Sequence, residues 1–346
     1  MRGERARRVL FIGLSARGHG GIQRFNRRVI ASLATLGVPT VTAMRAEDAP
    51  MRFARRVLSG VLGAEPILIG HINLLPLALL IRLLRPRARI ILFAHGIESW
   101  GDPAYRPVRW WEPAMLRHVV HRVAIVSRYS MSRMAGAFAL DEGTFVLFPN
   151  AVDLPDAPVR AEGETILTVA RLQAGEREKH VDKLVRALPL LPTARLMVIG
   201  DGPLRAEYRT LAVQLGVEAR VALPGAVSDI ALARAYAEAR LFALPSSKEG
   251  FGIVYLEAWA RGLPVVGSCF GAAGEVISDG VDGFTIDPAD VGALAHALGR
   301  LLNDRRLADR MGAAGRLKVE RHYTGAAFTR NLEALLYSDM PLTGMT

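Results

Sequence analysis

The stretch RLFALPSSKEGFGIVYLEAWARGLPVVGS, residues 240–268, contains a strand, a loop, a helix and a second strand in succession. The apolar run RLFALP predicts a buried strand, and IVYLEAWARG has helical periodicity up to the stop at Gly262. The following run, LPVVGS, predicts the next strand. Strands and helices that alternate in this way predict a parallel sheet covered by helices on both faces.

The same alternation extends along the chain in two series. The strand-like runs of the first series are RRVLFIG, PTVTAM, PILIG, RIILFAHG and RVAIVS, and those of the second are TILTVARL, RLMVIGDG, RVALPGAV, RLFALPSS, LPVVGS and GFTID. The segment 147–165, rich in Pro and Asp, predicts a linker between the two series. A chain of 346 residues is also longer than one core usually serves.

We therefore expect an α/β protein with two doubly wound, Rossmann-like domains that face a central cleft. The predicted domains are residues 1–158 and 159–325, and a C-terminal helix at about 326–346 is expected to pack back on the first. A ligand is expected in the cleft, at the carboxyl ends of the strands.

Composition narrows the class of protein. With 51% hydrophobic and 22% charged residues, the chain is expected to fold, and a single cysteine, Cys269, fits a reducing cytoplasm. No signal peptide is visible, and polar residues such as His71 and Arg82 interrupt the apolar run 66–84. That run predicts a strand, a turn and a short helix rather than a membrane span.

Positive charge is concentrated in the first half. Residues 1–150 hold 22 Arg and 9 acidic residues, a net charge of +13, whereas the whole chain carries +11. This half is expected to meet an anionic membrane face, a lipid phosphate or a nucleic acid, unless its arginines are only a solvated surface. The segment 51–62, MRFARRVLSGVL, resembles an interfacial amphipathic helix, and an ordinary surface helix is the alternative. Without an aromatic platform or a nucleic-acid motif, nucleic acid is the disfavoured partner.

The loop after the first strand, GLSARGHGGIQRF, matches neither G-x-G-x-x-G nor the P-loop pattern. This disfavours a nicotinamide dehydrogenase and a P-loop ATPase. Gly20 and Gly21 open a helix, where backbone N–H groups can approach an anion. A simple tight turn is the alternative.

Charged residues stand at two strand-to-helix connections of the second series. Arg171 ends a strand and Lys179 precedes the next helix, which suits a diphosphate leaving group, although two surface cations are the alternative. Glu249 falls in the loop after RLFALP, and Glu257 lies about one and a half turns into the next helix. Between them, the helix start can hold an anion while the carboxylates accept hydroxyl groups. The alternative for Glu249 is that it only stabilises the dipole of the following helix, and the alternative for Glu257 is that it lies on a solvated face of that helix.

The segment EGFGIVYLE resembles the E-x7-E motif of family 4 glycosyltransferases, the retaining enzymes of the GT-B fold. Blocks similar to that family run in its order along nearly the whole chain. They include GHGGIQRF, GHINLLPLA, FAHGIESW, FPNAVD, VIGDGP and LPGAVSD. The resemblance implies transfer of a hexose-type sugar from a nucleotide diphosphate sugar to an acceptor hydroxyl, without a metal or other cofactor. It also associates the chain with surface polysaccharide or glycolipid synthesis on a lipid-linked or carbohydrate acceptor.

Carried over position by position, the resemblance implies roles for individual residues. Glu249 would bind hydroxyls of the transferred sugar, and His95 would line the site beside it. The donor-binding positions would be Gly20, Gly21, Arg171, Lys179, Val227, Phe251, Gly252, Ile253 and Glu257. Among these residues, Val227 would bind the base of the nucleotide and Glu257 would bind its ribose. The chain departs from the family at Lys179-His180, where Lys-Gly is usual, and in the loop 270–280, which lacks a proline before its glutamate.

Other functions stay open beside this one. The leading hypothesis is a transferase acting from the cytoplasm, peripheral on the inner face of the cell membrane. A sugar-nucleotide epimerase or a soluble disaccharide or glucan synthase shares the fold, and a non-catalytic binding protein is disfavoured by the intact charged motif residues. UDP, GDP and ADP stay open as the nucleotide of the donor.

Overall fold

The computed structural model describes residues 8–18, 20–155 and 163–337. These residues form two compact units. The first holds the described residues up to Asn150 together with Gly325–Tyr337, and the second is Ala151–Thr324. Of the predicted linker, residues 156–162 lie outside the described part, as do residues 338–346 of the predicted terminal helix.

The first unit is built around a parallel sheet. Its strands are β1 (Val9–Gly13), β2 (Thr40–Met44), β3 (Ile67–Ile69), β4 (Ile90–Ala94), β5 (Arg122–Ile125) and β6 (Phe145–Leu147), in the order β2-β1-β3-β4-β5-β6. The helices between them are α1 (Gly21–Thr35), α2 (Pro50–Gly63), α3 (Leu75–Leu84), α4 (Glu112–His118) and α5 (Arg128–Phe138).

The second unit repeats this architecture. Its strands are β7 (Thr165–Val169), β8 (Arg195–Ile199), β9 (Val221–Gly225), β10 (Leu241–Leu244), β11 (Val265–Ser268) and β12 (Gly283–Ile286), in the order β12-β11-β10-β7-β8-β9. Its helices are α6 (Val181–Ala187), α7 (Leu204–Gln214), α8 (Asp229–Glu238), α9 (Ile253–Trp259), α10 (Ala273–Val276), α11 (Val291–Asn303) and α12 (Arg305–His322). The last helix, α13 (Gly325–Tyr337), belongs to the first unit.

The strands of the first sheet are buried on both faces because alternate side chains enter two cores. One core holds Leu10 and Ile12 of β1 with the apolar sides of α2 to α5. On the other face, Phe25 of α1 packs edge-on against Phe93 of β4 at 5.0 Å and Phe328 of α13 at 5.4 Å between ring centroids. Helices thus cover both faces of the sheet, as the strand–helix alternation predicts.

Helix α12 packs unusually close to α9 in the second unit. A Cβ atom on Gly315 would lie 1.9 Å from the indole ring of Trp259, and one on Gly312 would lie 1.9 Å from the carbonyl oxygen of Gly262. Glycine at both positions is therefore required for α12 to pack this closely on α9 and on the turn that follows α9.

The predicted α/β fold with two parallel sheets is confirmed, and so is the reading of 66–84 as a strand, a turn and a helix. Helix α9 ends at Trp259, three residues before the predicted stop at Gly262. Gly262 lies in the turn between α9 and β11, where it adopts a left-handed φ of 77°. None of the described helices combines the length and the apolarity needed to cross a bilayer.

Candidate active site

An ion pair between Lys179 and Glu249 occupies the centre of the second unit's strand-to-helix loops. Glu249 follows β10 and Lys179 precedes α6, so both lie at the carboxyl edge of the parallel sheet. The side chains are only 18% and 12% exposed, and the ammonium group donates directly to the carboxylate. Burial keeps solvent screening of this pair weak.

Hydrogen bonds join the two loops that carry the pair. The Nε2 atom of His180 lies 2.8 Å from the hydroxyl of Ser247, and the N–H of Ser247 donates to the carbonyl of Glu178 at 2.9 Å. The loop after β11 joins them, because the N–H of Ala272 donates to the carbonyl of Glu249 at 3.1 Å. Three loops therefore fix the position of the Glu249 backbone.

His180 stands where glycine is usual in the resembled family, and its backbone has the conformation that glycine favours. Its φ of 53° and ψ of 34° lie in the left-handed region, so the chain follows the path expected of a glycine there. Burial lowers the pKa of the imidazole below its ordinary value. Histidine in place of glycine therefore adds a side chain to this loop, while the backbone keeps the conformation expected of glycine.

The start of α9 separates Glu249 from Glu257, as the sequence predicts. Gly252 adopts a left-handed φ of 82°, and a Cβ atom there would lie 2.5 Å from the ring of Tyr255. Phe251 is buried, and Ile253 is the first residue of the helix. A side chain at position 252 would therefore disturb the backbone at the start of α9.

Glu257 is half-buried rather than on a solvated helix face, so that alternative is wrong. The hydroxyl of Tyr236 donates to its carboxylate at 3.2 Å. The guanidinium of Arg261 lies over the ring of Tyr236, 4.5 Å from the centroid, and donates to the carbonyl of Glu257 at 2.9 Å. These contacts hold Glu257 in one orientation.

Arg171 and Val227 lie at the same edge of the sheet, but Arg171 has a different partner. Its guanidinium is 69% exposed and pairs with Glu176, in its own loop, at 2.5 Å. Val227 is half-buried in the connection between β9 and α8, next to the Ser228 cap of that helix. The structure thus brings Lys179, and not Arg171, against Glu249.

In the first unit, His95 follows β4 and its ring is held on two sides. Its Nε2 lies 2.9 Å from the carbonyl oxygen of Gly70, and the ring packs edge-on against Phe25 at 4.5 Å. Because a carbonyl oxygen only accepts, Nε2 carries a proton in this contact, which leaves Nδ1 for another partner. The carboxylate of Glu98 accepts the backbone N–H of His95 at 2.6 Å.

His71 is a second histidine beside His95 in the first unit, and sequence reasoning missed it. Its side chain is buried, its Nδ1 accepts the N–H of Asn73 at 3.1 Å, and its ring lies 6.3 Å from that of His95. Burial lowers the pKa of His71 to about 4, although Glu98 acts in the opposite direction. The blocks GHINLLPLA and FAHGIESW hold His71 and Glu98, so the signal for both was present.

Gly20 and Gly21 open α1 as the sequence predicts. Gly20 is extended, with φ of −69° and ψ of 161°, and its carbonyl accepts the N–H of Arg24 at 3.0 Å. Helix α1 is a long helix of the first unit, so its dipole favours an anion near this end. In the described part of the chain, no group of three or more His, Cys, Asp or Glu side chains is arranged to hold a metal ion.

The comparisons with known proteins agree with this geometry. The model of the family "Glycosyl transferases group 1" matches residues 154–318. The chain is also 36% identical over 266 residues to a GDP-mannose-dependent alpha-(1-6)-phosphatidylinositol monomannoside mannosyltransferase of Mycolicibacterium smegmatis, covering 70% of this chain and 68% of the relative. The chain belongs to the group 1 glycosyltransferases.

Two further comparisons support this glycosyltransferase assignment and its fold. A protein of the same name from Mycobacterium tuberculosis is 33% identical over 294 residues, or 74% of this chain and 73% of that one. The structure of Anabaena HepE in complex with UDP superposes with a TM-score of 0.76 at 18% identity, over 95% of this chain and 99% of that one. At this identity the second comparison shows the GT-B fold alone.

The structure adds partners that the glycosyltransferase motifs do not reveal. Ser247 is bonded to His180, Tyr236 to Glu257, and Glu98 to the backbone of His95. Ser247 and Tyr236 each come from a different loop or helix than the residue they bind, whereas Glu98 lies three residues after His95 in the same connection. No spacing in the sequence predicts the first two pairs, since they depend on how neighbouring strands are ordered.

Proposed function

We propose that this glycosyltransferase moves mannose from GDP-mannose to a hydroxyl group of a lipid-linked glycan, with retention of the anomeric configuration and without a metal ion. The observation that carries the proposal is the likeness, at 36% and 33% identity, to enzymes named as GDP-mannose-dependent mannosyltransferases that act on a phosphatidylinositol monomannoside. The partly buried Lys179–Glu249 pair supplies the charged groups that such a donor requires.

The second unit would bind the donor. The diphosphate gains negative charge as it leaves, and Lys179 is positioned to neutralise that charge, with the backbone of Phe251–Ile253 beside it. Glu249, released from Lys179, would accept hydroxyl groups of the sugar. Glu257, oriented by Tyr236, would accept the ribose hydroxyls. Val227 would hold the base through its backbone, and Arg171 would leave Glu176 to reach the phosphate.

The first unit would supply the acceptor side and two contacts to the donor. The Nδ1 atom of His95 suits a hydroxyl group of the transferred sugar. Gly20 and Gly21, at the start of α1, would add backbone N–H groups to the phosphates. We assign no nucleophile, because the carboxylates described at the site each have a binding role.

Helices α2 and α3 are proposed to rest on the cytoplasmic face of the cell membrane. Leu62 of α2 is 75% exposed and Leu83 of α3 is 72% exposed. Further exposed apolar residues on these helices are Met51, Leu58, Leu79, Leu80 and Leu84. Arg52 and Arg55 are exposed on α2 as well, a combination that favours an anionic lipid surface.

The test is a transfer assay with purified protein, labelled donor and phosphatidylinositol monomannoside in vesicles. GDP-mannose is compared with UDP-glucose and ADP-glucose, with and without EDTA, and the anomeric configuration of the product is read by NMR. We expect α-mannosylated lipid from GDP-mannose alone, in EDTA as in buffer. An inverted product refutes retention, and a donor epimerised without acceptor refutes the transferase in favour of an epimerase.

A further inference from the structure

The loop between β1 and α1 is held by side chains on both sides of its backbone. This loop, described from Leu14 to Gly18, leads to the pair Gly20 and Gly21 at the start of α1. Short loops of this kind usually leave their peptide groups to water. Here they are bound by the protein itself.

Glu47, in the connection between β2 and α2, binds the N–H side of the loop. One oxygen of its carboxylate accepts the hydroxyl of Ser15 at 2.7 Å, the N–H of Arg17 at 2.8 Å and the N–H of Ala16. The other oxygen lies 3.7 Å from the guanidinium of Arg17, and the side chain is 19% exposed. The carboxylate is therefore fully engaged with this one loop.

Two side chains of α1 bind the carbonyl side of the same loop. The amide of Asn26, which is fully buried, donates to the carbonyl of Ser15 at 2.7 Å. The guanidinium of Arg27 donates to the carbonyls of Ala16 and Gly18, both at 2.7 Å. Since Arg27 lies two turns into α1, it ties the loop to the helix that the loop leads into.

We propose that Glu47 and Arg27 are positioning residues that hold this loop so that the N–H groups of Gly20 and Gly21 are presented to the diphosphate of the donor. Glu47 occupies the N–H groups of Ala16 and Arg17, which would otherwise compete for the anion, and its carboxylate is stabilised by those bonds and by the nearby guanidinium of Arg17. A phosphate is thereby directed to the glycine pair. The inference rests on the proposed donor role of that pair.

The experiment compares Glu47→Ala, Glu47→Gln and Arg27→Ala with the matched control Glu65→Gln, which removes another carboxylate that pairs with an arginine in the same unit, at 2.9 Å from Arg85. The readouts are kcat, KM for GDP-mannose, KM for the lipid acceptor, the Kd of GDP and the melting temperature. We expect Glu47→Ala and Arg27→Ala to raise the donor KM and the GDP Kd at least about tenfold, with the acceptor KM unchanged.

Glu47→Gln keeps one accepting oxygen and is expected to fall between the wild type and Glu47→Ala. Unchanged donor KM and GDP Kd in soluble Glu47→Ala and Arg27→Ala overturn the inference and leave the proposed function standing. A lowered melting temperature with equal rises in donor and acceptor KM also overturns it, because that pattern reports general damage. A wild-type protein that neither binds GDP nor transfers mannose overturns both.

Discussion

Glu249 is the residue on which the proposed chemistry depends most directly. Its side chain is 12% exposed and pairs with Lys179. Removal of the side chain therefore affects two groups. The hydroxyl groups of the sugar lose a hydrogen-bond acceptor, and the ammonium group of Lys179 loses its ion-pair partner.

We predict that Glu249→Ala lowers kcat at least about a hundredfold with the fold intact, as is typical when a transition-state contact is removed. Transfer of labelled mannose measures kcat, and circular dichroism checks the fold. Glu238→Ala is the matched control, since Glu238 is an exposed carboxylate of the same unit in a 2.6 Å pair with Arg234. Near-full activity of Glu249→Ala would refute its assignment.

At His180, the cost of the left-handed backbone can be separated from the benefit of the side-chain hydrogen bond to Ser247. The left-handed conformation costs a non-glycine residue about 1 kcal/mol, whereas the bond to Ser247 offsets part of that cost. We predict that His180→Ala, which keeps the strain and loses the bond, is less stable than His180→Gly, which loses both. Urea unfolding measures the difference, and an alanine variant more stable than the glycine variant contradicts the explanation.

The sequence indicated which residues of the second unit bear charge, and it could not indicate how they pair. Arg171 and Lys179 were predicted as two equivalent cations for a diphosphate. In the structure the loop turns through a 3₁₀ segment, Ala174–Lys179, that brings Glu176 to Arg171 and leaves Lys179 for Glu249. The path of such a loop is set by contacts with other loops, which periodicity does not encode.

At the scale of elements, the connection between β3 and α3 contributes a pH-dependent stability. His71 lies there, buried beside Glu98, His95 and Arg106, with its pKa lowered to about 4. The unfolded chain has a His pKa of about 6.5, so it binds more protons than the folded chain between these values. The contribution of His71 is therefore complete above pH 6.5 and is lost as the pH falls toward 4.

We predict that His71→Asn flattens the pH dependence of the melting temperature between pH 6.5 and about 4, because Asn cannot take up this proton and its amide oxygen can still accept the N–H of Asn73. Scanning calorimetry across this range measures the slope. His296→Asn, in the second unit, is the control. Equal slopes in the His71 variant and the wild type would show that another group titrates.

Helices α2 and α3 make the membrane proposal testable at the same scale. We predict that the double variant Leu62→Ser, Leu83→Ser binds vesicles of anionic lipid at least about tenfold more weakly, since two large apolar side chains no longer leave water. Flotation of vesicles with bound protein measures this. Leu190→Ser, at an exposed leucine of the second unit, is the control. Equal flotation of all three proteins would refute the proposed face.

The strands and helices were the part of the fold that the sequence predicted best. Apolar runs predicted all strands of the second sheet and β1 to β5 of the first, because parallel strands are buried on both faces and have no polar alternation. Strand β6 (Phe145–Leu147) was missed, and its last residue falls in the predicted linker. The exposed leucines of α3 were missed. The run 66–84 is apolar on all sides, so its sequence did not distinguish the face that packs on the sheet from the face in water.

At the scale of the whole molecule, the donor nucleotide is expected to stabilise the native protein. A ligand at a hundred times its Kd adds about 2.7 kcal/mol to the free energy of unfolding. We predict that GDP raises the melting temperature more than UDP or ADP at equal concentration, in a thermal scan of the full chain. A larger rise with UDP would overturn GDP-mannose as the donor while leaving the glycosyltransferase assignment intact.

The pairing of Lys179 with Glu249 and of Arg171 with Glu176 also affects how fast the donor arrives. Cations that are already matched by carboxylates produce little field at a distance, so these loops do not steer a diphosphate from solution. Under the proposed function, Lys179 and Arg171 would attract the diphosphate mainly once it is close enough to replace Glu249 and Glu176 as their partner. Donor association in the second unit should therefore proceed at an ordinary diffusive rate that changes little with ionic strength, and discrimination between donors should appear in how slowly the bound nucleotide leaves.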